Sequence, residues 1–139
     1  MWRPPKTDWA YTDFINYTDY NRILENVEYI ISLADQVKED TYPTLGQTKA
    51  GYLDYPYASE WNAIELCLKK LATNAGIVFE NQTFMDNGFT PDANELNSIE
   101  SMELSLKEIY EAAIPMKYRL AFRLGRKRSE VTIGPIVSL

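Results

Sequence analysis

The sequence predicts a mainly α protein: a three-helix, bundle-like core with an extended N-terminal arm and a short C-terminal β-hairpin. Two observations predict the helices. Apolar residues recur at i, i+3, i+4 and i+7 in three stretches. Each stretch also opens with the same pattern: small polar, acid, large apolar, Asn, any residue, Ile. The copies are Thr18-Asp19-Tyr20-Asn21-Arg22-Ile23, Ser59-Glu60-Trp61-Asn62-Ala63-Ile64 and Asn94-Glu95-Leu96-Asn97-Ser98-Ile99, with Asn21, Asn62 and Asn97 successively 41 and 35 residues apart. A third observation, alternation of apolar and polar residues over 118–124, predicts the hairpin. At 139 residues the chain fits one domain, divided into an arm over 1–17, a helical core over 18–114 and a basic β element over 115–139.

The arm is rich in proline and aromatics, with Trp2, Trp9, Tyr11, Phe14 and Tyr17 irregularly spaced. Trp2-Arg3-Pro4-Pro5 favours extended backbone, because each X-Pro pair keeps the preceding residue out of the helical region. Such an arm either packs over its own core or docks on another chain.

The first helix is expected to start at Thr18, with Asp19 against the positive end of the helix dipole and Asn21 at the third helical position, where a capping box carries Glu or Gln. Its stripe is Tyr20, Ile23, Leu24, Val27, Ile30, Ile31, Ala34 and Val37. Residues 41–58 then form a long connection broken by Pro43, Gly46, Gly51 and Pro56 and carrying Tyr42, Tyr52, Tyr55 and Tyr57. Loops of that length usually have work to do.

The second helix is expected from Ser59 to about Ala75, with Asn62 again third and Gly76 as its stop. Ile77-Val78-Phe79 and Phe84-Met85 would pair as short strands or pack down. The third helix has two candidate starts, Thr90 capping Pro91 or the Asn94 copy containing Asn97, and Pro115 should end it. Gly125-Arg126-Lys127-Arg128-Ser129 would make a basic hairpin loop returning through Val131, Thr132 and Ile133.

The chemistry is limited by what is missing. The chain has no histidine and one cysteine. The commonest general base is therefore absent, and so are Ser-His-Asp and Cys-His catalysis, an internal disulfide and a four-cysteine metal site. Cys67 reads as a core residue. Glu65 and Glu100 could pair across helices. No glycine-rich phosphate loop is written, and no catalytic, cofactor-binding or metal-binding residue is assigned. No apolar run approaches the roughly 18 residues of a membrane span, and the start lacks the core of a signal peptide, so folding in the cytoplasm is expected.

Charge divides along the chain. Residues 1–115 carry 8 basic and 19 acidic side chains, whereas residues 116–139 carry 6 basic and 1 acidic. The basic tail would lie along its own acidic body, or reach an acidic partner or nucleic acid. Direct nucleic-acid binding is disfavoured by a pI near 4.7. The three asparagines could suggest a ring of amides reading a ligand. The simpler reading is that they satisfy helix-end N–H groups or the backbone of a neighbouring loop.

Pro5-Lys6-Thr7-Asp8-Trp9, followed by Phe14-Ile15-Asn16-Tyr17-Thr18-Asp19-Tyr20-Asn21-Arg22-Ile23, resembles the opening of small tail and baseplate-region proteins of phages and prophages of Gram-positive bacteria. Leu96-Asn97-Ser98-Ile99-Glu100 is similar to the helix start of such proteins; the first copy departs from it in having Leu24 where Glu is usual. The resemblance covers about a third of the chain. It implies a non-enzymatic virion component of the tail, assembled in the host cytoplasm. Such a component would be homo-oligomeric, bind other tail proteins and need no cofactor. The aromatics and charges outside the helical stripes, Trp2, Trp9, Tyr52, Tyr55, Arg126, Lys127 and Arg128, are its expected contacts. Tyrosines that stack on sugars add host cell-wall carbohydrate as a further candidate partner. The alternative is a small regulator that binds nucleic acid or an acidic protein through the basic C-terminal segment.

Overall fold

The computed structural model describes residues 2–51, 53–85 and 91–127, the stretch 118–127 as backbone alone. It contains α1 (Tyr17–Val37), α2 (Ala58–Asn74) and α3 (Ala93–Lys127), packed together, with no strand among the described residues. The apolar stripes meet in one core, in which Tyr20, Ile23, Val27, Ile30, Trp61, Ile64, Leu68, Leu71, Ile99, Leu106 and Tyr110 are all buried. Each such side chain contributes roughly 1.5–3 kcal/mol by leaving water. Cys67 lies in this core, and burial pushes its thiol up to about 11.

The helices run parallel. Arg22, Tyr29 and Gln36 of α1 meet Glu100, Glu111 and Lys117 of α3 in that order. The Tyr20 and Trp61 rings meet edge-on at 5.1 Å near the starts of α1 and α2, and the Tyr110 hydroxyl donates to the Leu71 carbonyl further along. Parallel neighbours need a return path along the whole bundle, about 30 Å for a helix the length of α1. That requirement alone accounts for the long connection over 41–58.

The three helix starts share one register, and it is not the register expected. Asn16, not Thr18, caps α1: its Oδ1 accepts from Thr18 N at 2.9 Å and Asp19 N at 3.2 Å, while Asp19 Oδ2 accepts from Asn16 N at 3.1 Å. For α2 the cap position is Tyr57, whose N–H reaches Glu60 Oε1 at 2.8 Å. For α3, Asp92 Oδ1 accepts from Glu95 N at 2.8 Å. Starting upstream of Thr18 and Ser59 puts the acid of every copy at the third helical position, where a carboxylate serves the cap better than a short amide. Each asparagine moves to the fifth position, free to turn outward. The Asn94 copy thus carries the same register as the other two.

Each of those asparagines grips one residue of a connection by both backbone groups. Asn21 Nδ2 donates to the Lys49 carbonyl at 2.9 Å and its Oδ1 accepts from the Lys49 N–H at 2.7 Å. Asn62 does the same to Phe84 at 2.9 and 2.7 Å, and Asn97 to Trp9 at 3.1 and 2.8 Å. The amide supplies the donor and acceptor that a neighbouring strand would otherwise give these isolated peptide groups. Lys49 and Phe84 each lie 13 residues before the next helix's asparagine, and Trp9 lies 12 before Asn21. The chain is therefore three arm-and-helix units, in which each helix holds the arm of the next unit and α3 holds the first.

The arms are also tied to their own helices. Arg3, six residues before Trp9, exchanges two 2.8 Å bonds with Asn26. Pro43, six before Lys49, accepts from Cys67 Sγ at 3.4 Å, and Asn26 and Cys67 each stand five residues after their helix's asparagine. The first two arms thus lie in grooves between two helices. The third, gripped by Asn62, packs Ile77, Phe79 and Phe84 against the core rather than pairing as strands. It leaves α2 through Gly76, whose φ of +79° lets Ile77 N reach back to Ala72 O at 2.9 Å.

The C-terminal hairpin is corrected. α3 continues through Pro115 to Lys127, so residues 118–127 are helix. Tyr118, Leu120, Phe122 and Leu124 fit i, i+4 spacing as well as alternation, and the intervening Arg119, Ala121 and Arg123 are strong helix formers. Pro115 costs the Glu111 carbonyl its helical partner without stopping the helix. The return through 131–133 and Arg128 lie outside the described residues.

Candidate interaction surface

The polar groups inside the bundle are structural. Glu100 is buried and accepts four hydrogen bonds: Lys6 N at 3.1 Å, Trp9 Nε1 at 2.6 Å, and Arg22 Nε and its terminal nitrogen at 2.9 Å each. Arg22 also donates to Asp19 at 2.9 Å, so one charged network ties α1, α3 and the N-terminal arm. Glu65 accepts from Gln82 N at 3.2 Å. The two carboxylates that could have paired across helices serve different arms instead. Burial, with Glu95 nearby, pushes Glu65 up to about 7 against the pull of the Gln82 N–H.

Glu103 is buried and has no hydrogen-bond partner on either oxygen among the described residues. Burial and then the Glu100 charge hold it well above the usual carboxylate range, only partly offset by Arg22 and the Asn26 amide. None of these acids lines the cavity described next. Among the described residues no group of Cys, Asp and Glu is placed to hold a metal ion, and no helix is long and apolar enough to cross a membrane.

The outer feature is the end of the bundle where all three helices begin. After its gripped residue, the first arm makes a turn in which Asp13 N donates to Ala10 O and Asp13 Oδ2 accepts from Ala10 N, both at 2.9 Å. The second arm repeats it: Asp54 N donates to Gly51 O at 3.1 Å and Asp54 Oδ2 accepts from Ala50 N at 3.3 Å. Each braced turn delivers an aromatic into solvent at the next position, Phe14 at 91% exposure and Tyr55 at 72%. Tyr11, Leu53 and Tyr57 are exposed on the same connections. Between the turns opens a cavity of about 500 Å³, lined by Phe14, Tyr55, Asp13, Asp54 and Asp92 and floored in part by Trp61. The Trp61 indole N–H is buried and has no hydrogen-bond partner among the described residues.

Of the expected contact residues, Tyr55 stands at this surface. Trp9 does not: at 6% exposure it belongs to the core, its N–H taken by Glu100, so contact with another chain does not fit its position. Trp2 is half-buried, its ring 5.9 Å from that of Tyr29 with Lys107 Nζ 5.3 Å above it. Arg126 and Lys127 lie on α3, and Tyr52 and Arg128 lie outside the described residues. Phe14 was not singled out by its sequence context alone. Its signal was there in the repeat continued upstream, since Tyr11-Thr12-Asp13-Phe14 and Tyr52-Leu53-Asp54-Tyr55 stand at the same distance from Asn21 and Asn62.

Comparison with protein-family models, with curated proteins and with solved structures gives no match to this chain.

Proposed function

We propose that this chain is a non-enzymatic structural component of a phage tail or baseplate, an adaptor or assembly subunit of the adsorption apparatus. The observation that carries this reading is the pair Phe14 and Tyr55, exposed aromatics at equivalent positions of two units on braced turns. Aromatics held in one orientation lose little entropy on binding and make strong interface anchors. The resemblance of residues 5–23 to tail and baseplate proteins supplies the setting, and a virion location follows from it. Phe14→Ala with Tyr55→Ala is expected to leave the melting temperature within about 2 °C, because both side chains are exposed, yet to yield particles that lack this subunit. Particles of normal composition would overturn the assignment.

The regulator reading keeps one observation in its favour: the basic residues Arg119, Arg123, Arg126 and Lys127 fall on the far end of a continuous helix. A duplex-DNA titration at two salt concentrations separates the two. Steep salt-sensitive binding supports the regulator, and no binding supports the adaptor.

A further inference from the structure

The three helices are unequal, at 21, 17 and 35 residues. Gln36, in the last turn of α1, meets Lys117, and Leu71, in the last turn of α2, meets Tyr110. Residues 118–127 therefore carry α3 past the ends of both neighbours, by about 15 Å. Among the described residues no helix lies beside this overhang, so a partner that packs along it would stabilise it. Its sequence contains Arg119, Arg123, Arg126 and Lys127, no acid, and the apolar residues Tyr118, Leu120, Phe122 and Leu124.

The opposite end of the molecule has the complementary character. Its cavity combines exposed aromatics with Asp13, Asp54 and Asp92. The nearest cations make only long pairs with two of these acids, Lys6 with Asp13 at 3.6 Å and Lys49 with Asp54 at 3.9 Å, because each lysine has a closer carboxylate in Asp8 or Glu60. Arginines and a helix's apolar residues are suited to such an acidic, aromatic-lined opening.

We infer that the basic end of α3 of one copy seats on the aromatic, acidic end of a second copy, a head-to-tail contact between identical chains. The inference rests on the assembly-subunit reading and names one of its partners. Because the two surfaces differ, the contact is heterologous and builds chains or rings rather than a closed two-fold dimer.

Sedimentation velocity on the full chain tests it, with circular dichroism checking that each variant is folded. The wild type is expected to form species that lengthen with concentration at 50 mM salt and shrink toward monomer at 500 mM. Arg119→Glu with Arg123→Glu should be monomeric, as should Phe14→Ser with Tyr55→Ser. An equimolar mixture of the two variants should give one-to-one dimers and nothing longer, since each retains one working end. A monomeric wild type, self-association that survives in either variant, or a mixture that stays monomeric would overturn the inference. If such a monomer still joined purified tail particles, only this contact would fail and the assembly-subunit reading would stand. Particles that never take up the chain would sink that reading instead.

Discussion

Replacing Glu100 by alanine is expected to cost about 3–5 kcal/mol, the range seen when one partner of a buried ion pair is removed. The carboxylate is buried and serves four donors from two parts of the fold, the N-terminal arm and α1, so its loss strands the Trp9 indole N–H and the Lys6 amide and leaves the Arg22 guanidinium with Asp19 alone. Against a total stability of about 5–15 kcal/mol this is large enough to unfold the chain at moderate temperature. Chemical denaturation checks it. Arg22→Met in the Glu100→Ala background should recover part of the loss, giving a coupling energy above about 1 kcal/mol. A cost for Glu100→Ala below about 1 kcal/mol would mean that water satisfies the network and that it does not organise the bundle.

Glu103→Met is expected to act in the opposite direction. The wild-type side chain is a carboxyl group enclosed by the core, with neither oxygen bonded among the described residues, and methionine fills similar space without that penalty. A gain of about 1–3 kcal/mol at pH 8 is predicted. The pH dependence follows from the direction of the shift. Both Glu103 and Glu65 bind their protons more tightly in the folded chain than their ordinary value of 4.5. Below pH 4.5 folded and unfolded chains are both protonated, so the full stability contribution is present. As pH rises the unfolded chain releases these protons first, and stability falls until the folded groups ionise as well. For Glu65, whose folded value is about 7, the fall lies between about pH 4.5 and 7 and amounts to at most about 3 kcal/mol. Denaturation midpoints from pH 5 to 8 should therefore slope less in Glu103→Met than in wild type. Parallel slopes would contradict a Glu103 carboxyl held above its ordinary range in the native core.

Much of this fold was legible in the residues. The stripes through Tyr20, Trp61 and Leu96 located all three helices, because an apolar face at helical spacing has one economical way of being buried. The reading that an asparagine can satisfy a neighbouring loop's backbone also matches the structure. Legibility ended where choices depend on long-range geometry. Thr18 and Ser59 are good caps in isolation, but an acid placed three residues after Asn16, Tyr57 or Asp92 fits better once the asparagine is needed outside the helix. Pro115 normally stops a helix, and a local reading has no means of seeing that α3 carries on to Lys127. Trp9 belongs to an arm whose composition suits docking on another chain, and only the groove beside α3 makes it core. The interaction surface was half legible: Tyr55 was named from composition, whereas Phe14 required the repeat to be followed upstream of the helix.

The central claim is that asparagines at one helical position lock three arms into the bundle, so that the turns beyond the first two present Phe14 and Tyr55 rigidly. Backbone amide hydrogen exchange at Trp9, Lys49 and Phe84 tests it most directly, since the described backbone offers these isolated amides only an asparagine oxygen as acceptor. All three should be protected by about 100-fold or more relative to free peptide, corresponding to about 2.7 kcal/mol against local opening. Asn97→Ala should abolish protection at Trp9 while leaving Phe84 slow. Exchange at the free-peptide rate in the wild type at all three positions would contradict the account.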